Sequence, residues 1–466
     1  MDREFERVLD ARLVLSVAAA GIMAFAGVVV ETSMNIAFPA LMEEFGVDTA
    51  TVQWITTGYL LVLAVFVPLS AYLKRRFTLR AVFVVAVATF FAGTVACAAA
   101  PSFAVLIIGR IAQGVGTGLT LPLMYNIVID QAPLDKMGLM MGVATLITAV
   151  APAVGPSLGG LILSIWGWRM IFVVLIPLLV VSFAMGASSI RQATPTEKEP
   201  LGVGQFAVLG CSFACLVFAT SSASASGWLS ARVLGLLAAF VALAALFGVL
   251  ASRSKHPLIH VDIFRTPSFT LSVAYVVLLQ SIALALSYLI PNYAQLTGGF
   301  GEFAAGCLML PGCVVGAVLS PFGGRFLDAL GAKRPILFGA LCQLAAMVLY
   351  AALGVRTAVA LLAVYNILIA MGQGFSMANS ITNGLSYLPE DRKADGNAAF
   401  NTLQQLGGAL GTAVATSIVG AAQAGISDLA LATATGAQQA FCVFLGVSIA
   451  AVCCTLGVFA LGGRSR

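Results

Sequence analysis

The residue of this sequence best placed to do chemistry is Glu31, a carboxylate inside an apolar stretch near the N-terminus. The stretch Ala24–Leu41 reads AFAGVVVETSMNIAFPAL, with Asn35 and Pro39 one and two helical turns after the glutamate. The chain has 19 acidic residues, and we place all the others in loops, tails or helix ends. A charge at the centre of a bilayer costs about 2.5 to 3.5 kcal/mol. Its presence there indicates a function, either binding a proton or binding a proton and a cation in turn.

Arg110 is the basic counterpart of this acid, because it also falls inside an apolar span, and Gln113 follows it by one turn. At 1.5 Å per residue, Glu31 lies about 18 Å below Glu43 at the end of its helix, and Arg110 about 14 Å below Pro101. The two charges therefore share a level in the membrane. Burial favours the protonated carboxyl and a nearby guanidinium favours the carboxylate, so this glutamate can load and release a proton. A purely structural pairing of the two side chains is the alternative.

The composition indicates the class of protein in which these residues lie. The chain has 466 residues, 60% of them hydrophobic and only 9% charged, and its mean hydropathy is +1.02. Soluble domains carry about 25% charged residues, so we predict a membrane protein with many spans. The net charge of +5 comes from short loops and indicates no nucleic-acid partner. We expect no cleaved signal peptide, because Met1–Arg12 is polar and no small-residue cleavage site follows.

Other kinds of chemistry find no support in the sequence. The nine cysteines lie in apolar runs without metal-ligand spacing, and the only two histidines, His256 and His260, lie in a loop. The chain has no phosphate-binding GxxxxGK(S/T) motif and no hydrolase motif. We therefore expect no metal, no cofactor and no enzymatic activity.

Hydrophobicity predicts an all-α fold with fourteen transmembrane helices. The predicted spans are 13–42, 52–73, 81–99, 103–129, 137–164, 169–189, 203–222, 230–251, 267–290, 303–322, 335–353, 357–386, 396–421 and 438–461. If the N-terminus is cytoplasmic, 20 of the 24 lysines and arginines lie in cytoplasmic segments. Positive loops face the cytoplasm, so we predict that both termini are cytoplasmic.

An internal repeat divides the chain. SAYLKRRFTLR at 70–80 and GRFLDALGAKR at 324–334 both follow a proline-containing apolar run. Further pairs recur in the same order at nearly the same offset: Phe38-Pro39 with Ile290-Pro291, Gln113-Gly114 with Gln373-Gly374, and Gly155–Gly159 with Gly407–Gly411. Parallel transporter halves leave weak symmetry of this kind. It predicts two six-helix bundles, at 1–200 and 267–466, with an inserted helix pair at 201–266.

These motifs resemble those of the major facilitator superfamily, and within it the fourteen-helix drug:proton antiporters. The segment from Glu31 to Pro39 is similar to the family's first-helix signature, in which aspartate is usual at the first position. The loop at 324–334 matches GxxxDxxGx(R/K), whereas its N-terminal copy has Lys74 at the acidic position. Segments 106–118, 142–160 and 396–415 resemble the fourth-helix arginine motif, the antiporter motif of helix five, and the thirteenth span of that subfamily.

The residues and the resemblance together assign candidate roles. Proton coupling is expected at Glu31, Arg110 and Gln113, and substrate binding at Glu31, Asn35, Tyr59, Gln280, Tyr288, Asn292, Asn366 and Gln373. The uncharged polar residues of the second half either line the cavity or only bond across helices. The antiporter motif comprises Gly142, Gly155, Pro156, Gly159 and Gly160, read either as a seal between bundles or as ordinary close packing. The gating loop comprises Gly324, Asp328, Gly331 and Arg334.

The resulting prediction is a multidrug efflux transporter of the bacterial inner membrane. It would act as a monomer in the lipid bilayer and export hydrophobic, cationic compounds in exchange for protons, as expected of a protein of antibiotic resistance. A transporter of one specific metabolite on the same fold is one alternative. A membrane sensor that no longer transports is another.

Overall fold

The computed structural model describes residues 9–133, 137–192, 196, 202–254, 257–356, 358–389, 392–424 and 428–462. These residues form α-helices and two 3-10 turns, with no β-strand among them. The helices are α1 (Ala11–Ile36), α2 (Phe38–Phe45), α3 (Thr49–Val52), α4 (Trp54–Phe66), α5 (Leu69–Arg76), α6 (Leu79–Ala98), α7 (Phe103–Gln131), α8 (Met137–Trp166), α9 (Arg169–Ser189), α10 (Val203–Ser226), α11 (Ala231–Arg253), α12 (Pro267–Leu296), α13 (Glu302–Cys307), α14 (Leu310–Leu330), α15 (Lys333–Leu353), α16 (Val359–Leu385), α17 (Lys393–Gln423) and α18 (Leu429–Gly462).

The membrane-spanning character follows from helix length and composition. Within the described residues, thirteen helices are long and apolar enough to cross a membrane, and the shorter apolar segment Val150–Trp166 lies in α8. This total is compatible with the fourteen predicted spans. The chain is therefore an all-α, multi-pass membrane protein.

Three predicted spans are interrupted rather than continuous. The first breaks at Ala37, where Pro39 opens the short helix α2. The second is divided into α3, α4 and α5, with breaks at Gln53 and at Pro68. The tenth is divided before Pro311. Proline removes a backbone donor and clashes with the preceding turn, which explains why three of these four breaks lie within two residues of a proline. The straight first helix assumed in the depth comparison of Glu31 and Glu43 is thus replaced by two helices.

Helix packing groups the chain into two sets. We call α1–α9 the N-terminal helices and α12–α18 the C-terminal helices. Among the N-terminal helices, α1 packs on α8 and α9, and α6 packs on α7. Among the C-terminal helices, α12 packs on α17 and α18, and α14 and α15 pack on α16. Small residues permit the closest approaches: a Cβ on Gly93 would lie 2.5 Å from the Gly109 carbonyl oxygen.

Helices α10 and α11 lie beside these two sets. Helix α10 contacts both α4 and α17, whereas α11 packs mainly on α10 and is largely exposed. The ring of Phe218 in α10 lies 4.7 Å from that of Trp54 in α4. Ser417 in α17 donates a hydrogen bond of 2.8 Å to the Thr220 carbonyl of α10. The α10 helix therefore contacts both helix sets along one side of the seam between them.

The described hydrogen bonds between the two sets are concentrated at one end of the molecule. We call the end that holds Asp10 the terminal side, and the opposite end, which holds Gly46 and Gly299, the distal side. Four of the described hydrogen bonds between the N-terminal and C-terminal helices lie in the distal part of α1, α3, α12 and α17, and a fifth joins Gln53, which links α3 to α4, with α17. The structure is therefore closed on its distal side.

Candidate functional site

Arg110 lies at the centre of a buried polar network of the N-terminal helices. Its side chain is completely buried, and the guanidinium lies 4.2 Å from the centre of the Tyr59 ring. Its Nε donates to the Ile55 carbonyl at 2.9 Å, and its Nη1 donates to Oε1 of Gln113 at 2.9 Å. Gln113 in turn donates through Nε2 to the Thr94 hydroxyl of α6 at 2.9 Å. These bonds join α4, α6 and α7 around one positive charge.

Tyr59 extends this network to the first helix. Its hydroxyl donates to the Gly27 carbonyl of α1 at 3.0 Å, and it lies 2.8 Å from the Thr117 hydroxyl of α7. Gly27 is one turn before Glu31, and a Cβ there would collide with Thr117 at 2.5 Å. The glycine is thus required for α1 and α7 to approach this closely, and the approach places Glu31 beside the network.

Glu31 and Arg110 interact electrostatically, yet each has unused hydrogen-bonding capacity. The Glu31 side chain is only 4% exposed, and no donor in the described part of the chain hydrogen-bonds to its carboxylate. The Nη2 of Arg110 is buried and makes no hydrogen bond to any described residue. A buried acid and a buried base that are incompletely satisfied can exchange partners at low cost, which a fully bonded pair cannot do.

Asn35, one turn after Glu31, bonds to the other helix set. Its Nδ2 donates to the Ser287 hydroxyl at 3.4 Å, and its Oδ1 accepts from Thr56 at 2.8 Å. Nδ2 of Asn292 donates to the Asn35 backbone carbonyl at 2.9 Å. The structure therefore brings together Asn35 and Asn292 from two distant parts of the chain.

The glycine- and proline-rich run of α8 has two packing faces. A Cβ on Gly155 would lie 1.9 Å from the Thr32 hydroxyl, and one on Gly159 would lie 2.6 Å from Cβ of Ser33, so both glycines face α1. A Cβ on Gly160 would lie 2.5 Å from the Glu302 carbonyl oxygen of α13. The same run thus packs against a helix of each set.

The comparison with known proteins decides the family. A sequence profile described as Major Facilitator Superfamily matches residues 20–412. The chain belongs to the Major Facilitator Superfamily. It is accordingly a transporter of small molecules in a membrane, rather than an enzyme.

The curated relatives of this transporter are drug-resistance proteins by name. Lincomycin resistance protein LmrB of Listeria monocytogenes is 36% identical over 442 residues, covering 93% of this chain and 94% of that protein. The LmrB protein of Bacillus subtilis is 35% identical and covers 86% of this chain and 84% of its own length. A multidrug resistance protein B homolog of Mycobacterium tuberculosis is 28% identical, covering 82% and 72% respectively.

Solved structures support the fold of the transporter. A crystal structure of the POT family transporter PepTSo matches with a TM-score of 0.70 at 18% identity, covering 97% of this chain and 98% of that one. An auto-inhibited POT family peptide transporter matches with a TM-score of 0.69 at 17% identity, covering 95% and 97%. At this identity the likeness shows the shared fold only.

The remaining predicted substrate residues are in the C-terminal helices and are spread out. Tyr288 is buried, with its ring 5.6 Å from that of Phe38. Asn366 donates to the Met309 carbonyl at 3.4 Å within its own helix set. Gln280 and Gln373 are half-buried, and Oε1 of Gln280 accepts from Gln404 at 3.5 Å. Tyr288 thus contacts the same α1–α2 region as Asn292, whereas Asn366 bonds across helices of one set.

The predicted gating loop lies partly outside the described residues. Gly331 ends α14 with φ of 75°, a left-handed value that favours glycine, and Arg334 is exposed at the start of α15. Gly324 and Asp328 are in α14, and Gly142 is in α8, but their side-chain surroundings are not among those described. In the N-terminal copy of the loop, Lys74 forms an ion pair of 2.7 Å with Asp130 of α7.

A cavity of about 370 Å³ lies beside the Arg110 network. Trp54, Phe103 and Phe218 contribute aromatic rings to its wall, together with Tyr59 and Arg110. The Tyr59 hydroxyl bonds to a backbone carbonyl of α1, and Nε of Arg110 bonds to one of α4. The face that the network presents to this cavity is therefore largely apolar.

The sequence reasoning missed several residues of these networks. Thr56, Thr94 and Ser287 complete them but belong to no motif, and Thr117 lies within the 106–118 motif without an assigned role. No signal in the sequence distinguishes these four residues from the other serines and threonines of the spans.

Proposed function

We propose that this transporter is a proton-coupled antiporter that exports hydrophobic, cationic compounds by alternating access. Glu31 carries the proton, and the positive charge of Arg110 competes with that proton for the Glu31 carboxylate. The cytoplasm lies on the terminal side, so the structure, closed on its distal side, represents the inward-facing state. The names of the relatives make lincomycin the first compound to test, followed by cationic dyes.

One observation carries this proposal: among the described residues, no donor bonds the buried Glu31 carboxylate and no acceptor bonds Nη2 of the buried Arg110 guanidinium, whose charge acts on that carboxylate. When Glu31 loses its proton, the Arg110 charge stabilises the carboxylate. When Glu31 gains a proton, Arg110 keeps its bonds to Ile55 and Gln113. In both protonation states of Glu31, the Arg110 charge is therefore stabilised without a rearrangement of the helices.

The substrate site lies between the helix sets. In this proposal Glu31, Tyr59 and Asn35 contribute from the N-terminal helices, and Gln280, Tyr288, Asn292, Asn366 and Gln373 contribute from the C-terminal helices. A cation binding near Glu31 would favour loss of its proton, because the two positive charges compete for one carboxylate. Residues 1–200 and 267–466 rock as two bundles, and α10 and α11 follow at their edge.

For a neutral compound, the membrane potential can drive such an exchange. For a monovalent cation exchanged one for one with a proton, no net charge moves, and the pH gradient is the driving force. One proton moving through about 100 mV releases roughly 2.3 kcal/mol. Each tenfold gradient needs about 1.4 kcal/mol, so one proton at this potential supports a gradient of roughly fortyfold for a neutral substrate.

The test is proton flux in proteoliposomes that contain a pH-sensitive dye. We expect lincomycin or a cationic dye to elicit proton movement with the parent protein and none with Glu31→Gln, because the amide cannot titrate. Glu43→Gln is the matched control, since Glu43 is an exposed carboxylate near the end of the same span.

Two results would count against the proposal. Substrate-driven proton flux that survives in Glu31→Gln would remove Glu31 from the proton path. Substrate uptake by the parent protein without proton movement would exclude proton antiport.

A further inference from the structure

The first predicted span is interrupted at a point that leaves two backbone carbonyls without helical donors. Pro39 lies four residues after Asn35 and has no N–H, so the Asn35 carbonyl loses its intrahelical bond. The break at Ala37 also leaves the Ile36 carbonyl free for another donor. In a membrane, an unpaired backbone carbonyl is costly, so donors must come from elsewhere.

Both donors come from the other helix set. Asn292 of α12 donates to the Asn35 carbonyl at 2.9 Å, and Gln295 donates to the Ile36 carbonyl at 3.2 Å. Asn35 and Asn292 are each at least 96% buried. Breaking this contact therefore leaves a buried carbonyl unbonded unless water replaces the donor.

The same arrangement occurs a second time between the sets. Pro156 lies four residues after Pro152 and leaves the Pro152 carbonyl without a helical donor. The Cys313 thiol of α14 lies 3.9 Å from this oxygen, at a distance suited to a weak sulfur donor. In both cases, a proline of the N-terminal helices releases a carbonyl that a side chain of the C-terminal helices contacts.

The internal repeat explains why the first contact lies where it does. Pro39 and Pro291 are repeat counterparts, and so are Asn35 and Ser287, four residues before each proline. The Asn35 amide bonds to the Ser287 hydroxyl at 3.4 Å. These counterpart positions of the predicted repeat are thus in contact, and the two proline-containing segments face each other on the distal side.

We propose that Asn292 is a positioning residue that holds the distal side closed by bonding to the carbonyl that Pro39 releases on Asn35. This inference rests on the proposed alternating access but not on the proton role of Glu31. Because Glu31 is one turn before Asn35 on α1, a movement of α1 at the proton site reaches this bond directly. The bond is uncharged, and water can replace it when the distal side opens.

The test measures the distance between the two sets on the distal side. In a chain whose nine native cysteines are replaced, spin labels on cysteines at Glu43 and Leu431 report this distance, because both positions are exposed and belong to different sets. We expect Asn292→Ala to shift the ratio of closed to open distances about tenfold toward open, as the loss of one buried hydrogen bond predicts.

A second background isolates the contribution of the proline. Pro39→Ala supplies the missing N–H and lets the helix continue through Ala37, so the Asn35 carbonyl no longer needs Asn292. In that background we expect Asn292→Ala to change the ratio less than twofold. An equal effect in both backgrounds would refute the role of the proline, and no effect of Asn292→Ala in the parent would refute the whole inference.

Asn379→Ala is the matched control. Asn379 also donates to a backbone carbonyl across helices, that of Gly323 at 2.9 Å, but both residues belong to the C-terminal helices. It should leave the distance ratio unchanged, and an equal shift would show that the Asn292 effect is a general loss of packing. If Asn292→Ala does not fold, Asn292→Leu keeps a similar side-chain size, removes the N–H donor and is expected to shift the ratio in the same direction. These distances do not depend on proton flux, so this inference and the proton role of Glu31 can fail independently.

Discussion

The centres of the two helix sets are packed with different kinds of residue. At the centre of the N-terminal helices, Arg110 is buried and bonded to α4 and to Gln113. The predicted repeat puts the corresponding position of the C-terminal helices near Ala370, where a Cβ on Gly316 would lie 3.2 Å from the Ala370 side chain. Small residues thus fill in one set the place that a charged network occupies in the other.

The difference indicates a division of labour. A close contact of small residues has few alternative arrangements, so α14 and α16 form a stiff pair. The Arg110 network has a donor that no described residue accepts from, and an acid lies beside it, so its bonds can be rearranged. We infer that the N-terminal helices respond to protonation, while the C-terminal helices supply a surface against which that response acts.

The largest expected effect distinguishes contacts between the sets from contacts within one set. Gly160→Ala places a methyl group 2.5 Å from the Glu302 backbone oxygen of the other set. Because α13 must shift, closure on the distal side is impaired, and we expect at least a tenfold loss of transport rate with normal thermal unfolding. Transport in proteoliposomes and unfolding temperature in detergent measure the two outcomes.

Its counterpart is Gly411→Ala, whose methyl group would lie 2.1 Å from the Ser281 backbone oxygen inside the C-terminal helices. Overpacking of this kind costs about 1 to 3 kcal/mol, so we expect a lower unfolding temperature and reduced yield. If both variants lose transport equally at unchanged stability, the distinction between an interface and an internal contact does not hold.

An intermediate effect concerns Lys74 in the N-terminal copy of the basic loop. Lys74 pairs with Asp130 inside the N-terminal helices, and Asp130 is 7% exposed. Lys74→Ala leaves this carboxylate without its cation, and we expect a loss of about 1 to 3 kcal/mol in the free energy of unfolding. The exchange Lys74→Asp with Asp130→Lys should recover most of it, since the pair is rebuilt with reversed polarity. Failure of the exchange to recover stability would show that the ion pair itself contributes little.

The smallest effect concerns a charged contact on the distal side. The Trp168 indole nitrogen donates to Oε2 of Glu44 at 2.6 Å. This hydrogen bond, together with Arg169, holds the pKa of Glu44 below its usual value of 4.5. A lowered pKa in the folded state stabilises the protein above the unfolded value, and this stabilisation is lost as the pH falls through the folded value. Glu44→Gln should therefore lower the free energy of unfolding at pH 7 by less than about 1 kcal/mol at this exposed site, seen as a slightly lower unfolding temperature. The effect should shrink as the pH falls below 4.5.

The C-terminal helices provide an uncharged comparison for this contact. Gln438 donates to the Ala351 carbonyl at the end of α15, as Arg169 donates to the Ala100 carbonyl after α6. Gln438→Leu should change stability by the same amount at pH 7 and pH 3, because no group titrates. A pH-dependent change there would contradict the contrast between the two sets.

Much of the architecture could be predicted from the sequence, because a bilayer restricts the choices. Long apolar runs must form helices there, so the predicted spans lie close to the helices of the structure. The pairing of Arg110 with Gln113 was also predictable, since residues three apart share a helix face. The interruptions were less predictable: Pro39 begins a new helix, whereas Pro291 remains inside α12. The sequence does not show which proline finds tertiary partners for the carbonyls it releases.

By itself the sequence determined the membrane environment, the helical content, the repeat and the placement of one acid and one base inside spans. These depend on local composition and spacing, which the bilayer translates directly into structure. Only the tertiary structure decided that Tyr59 joins Arg110 to α1, that Asn292 meets the Asn35 carbonyl, and that Asn366 bonds within its own set. Those contacts depend on how helices distant in sequence approach and rotate against one another, and the small residues that permit each approach act only once the helices are packed.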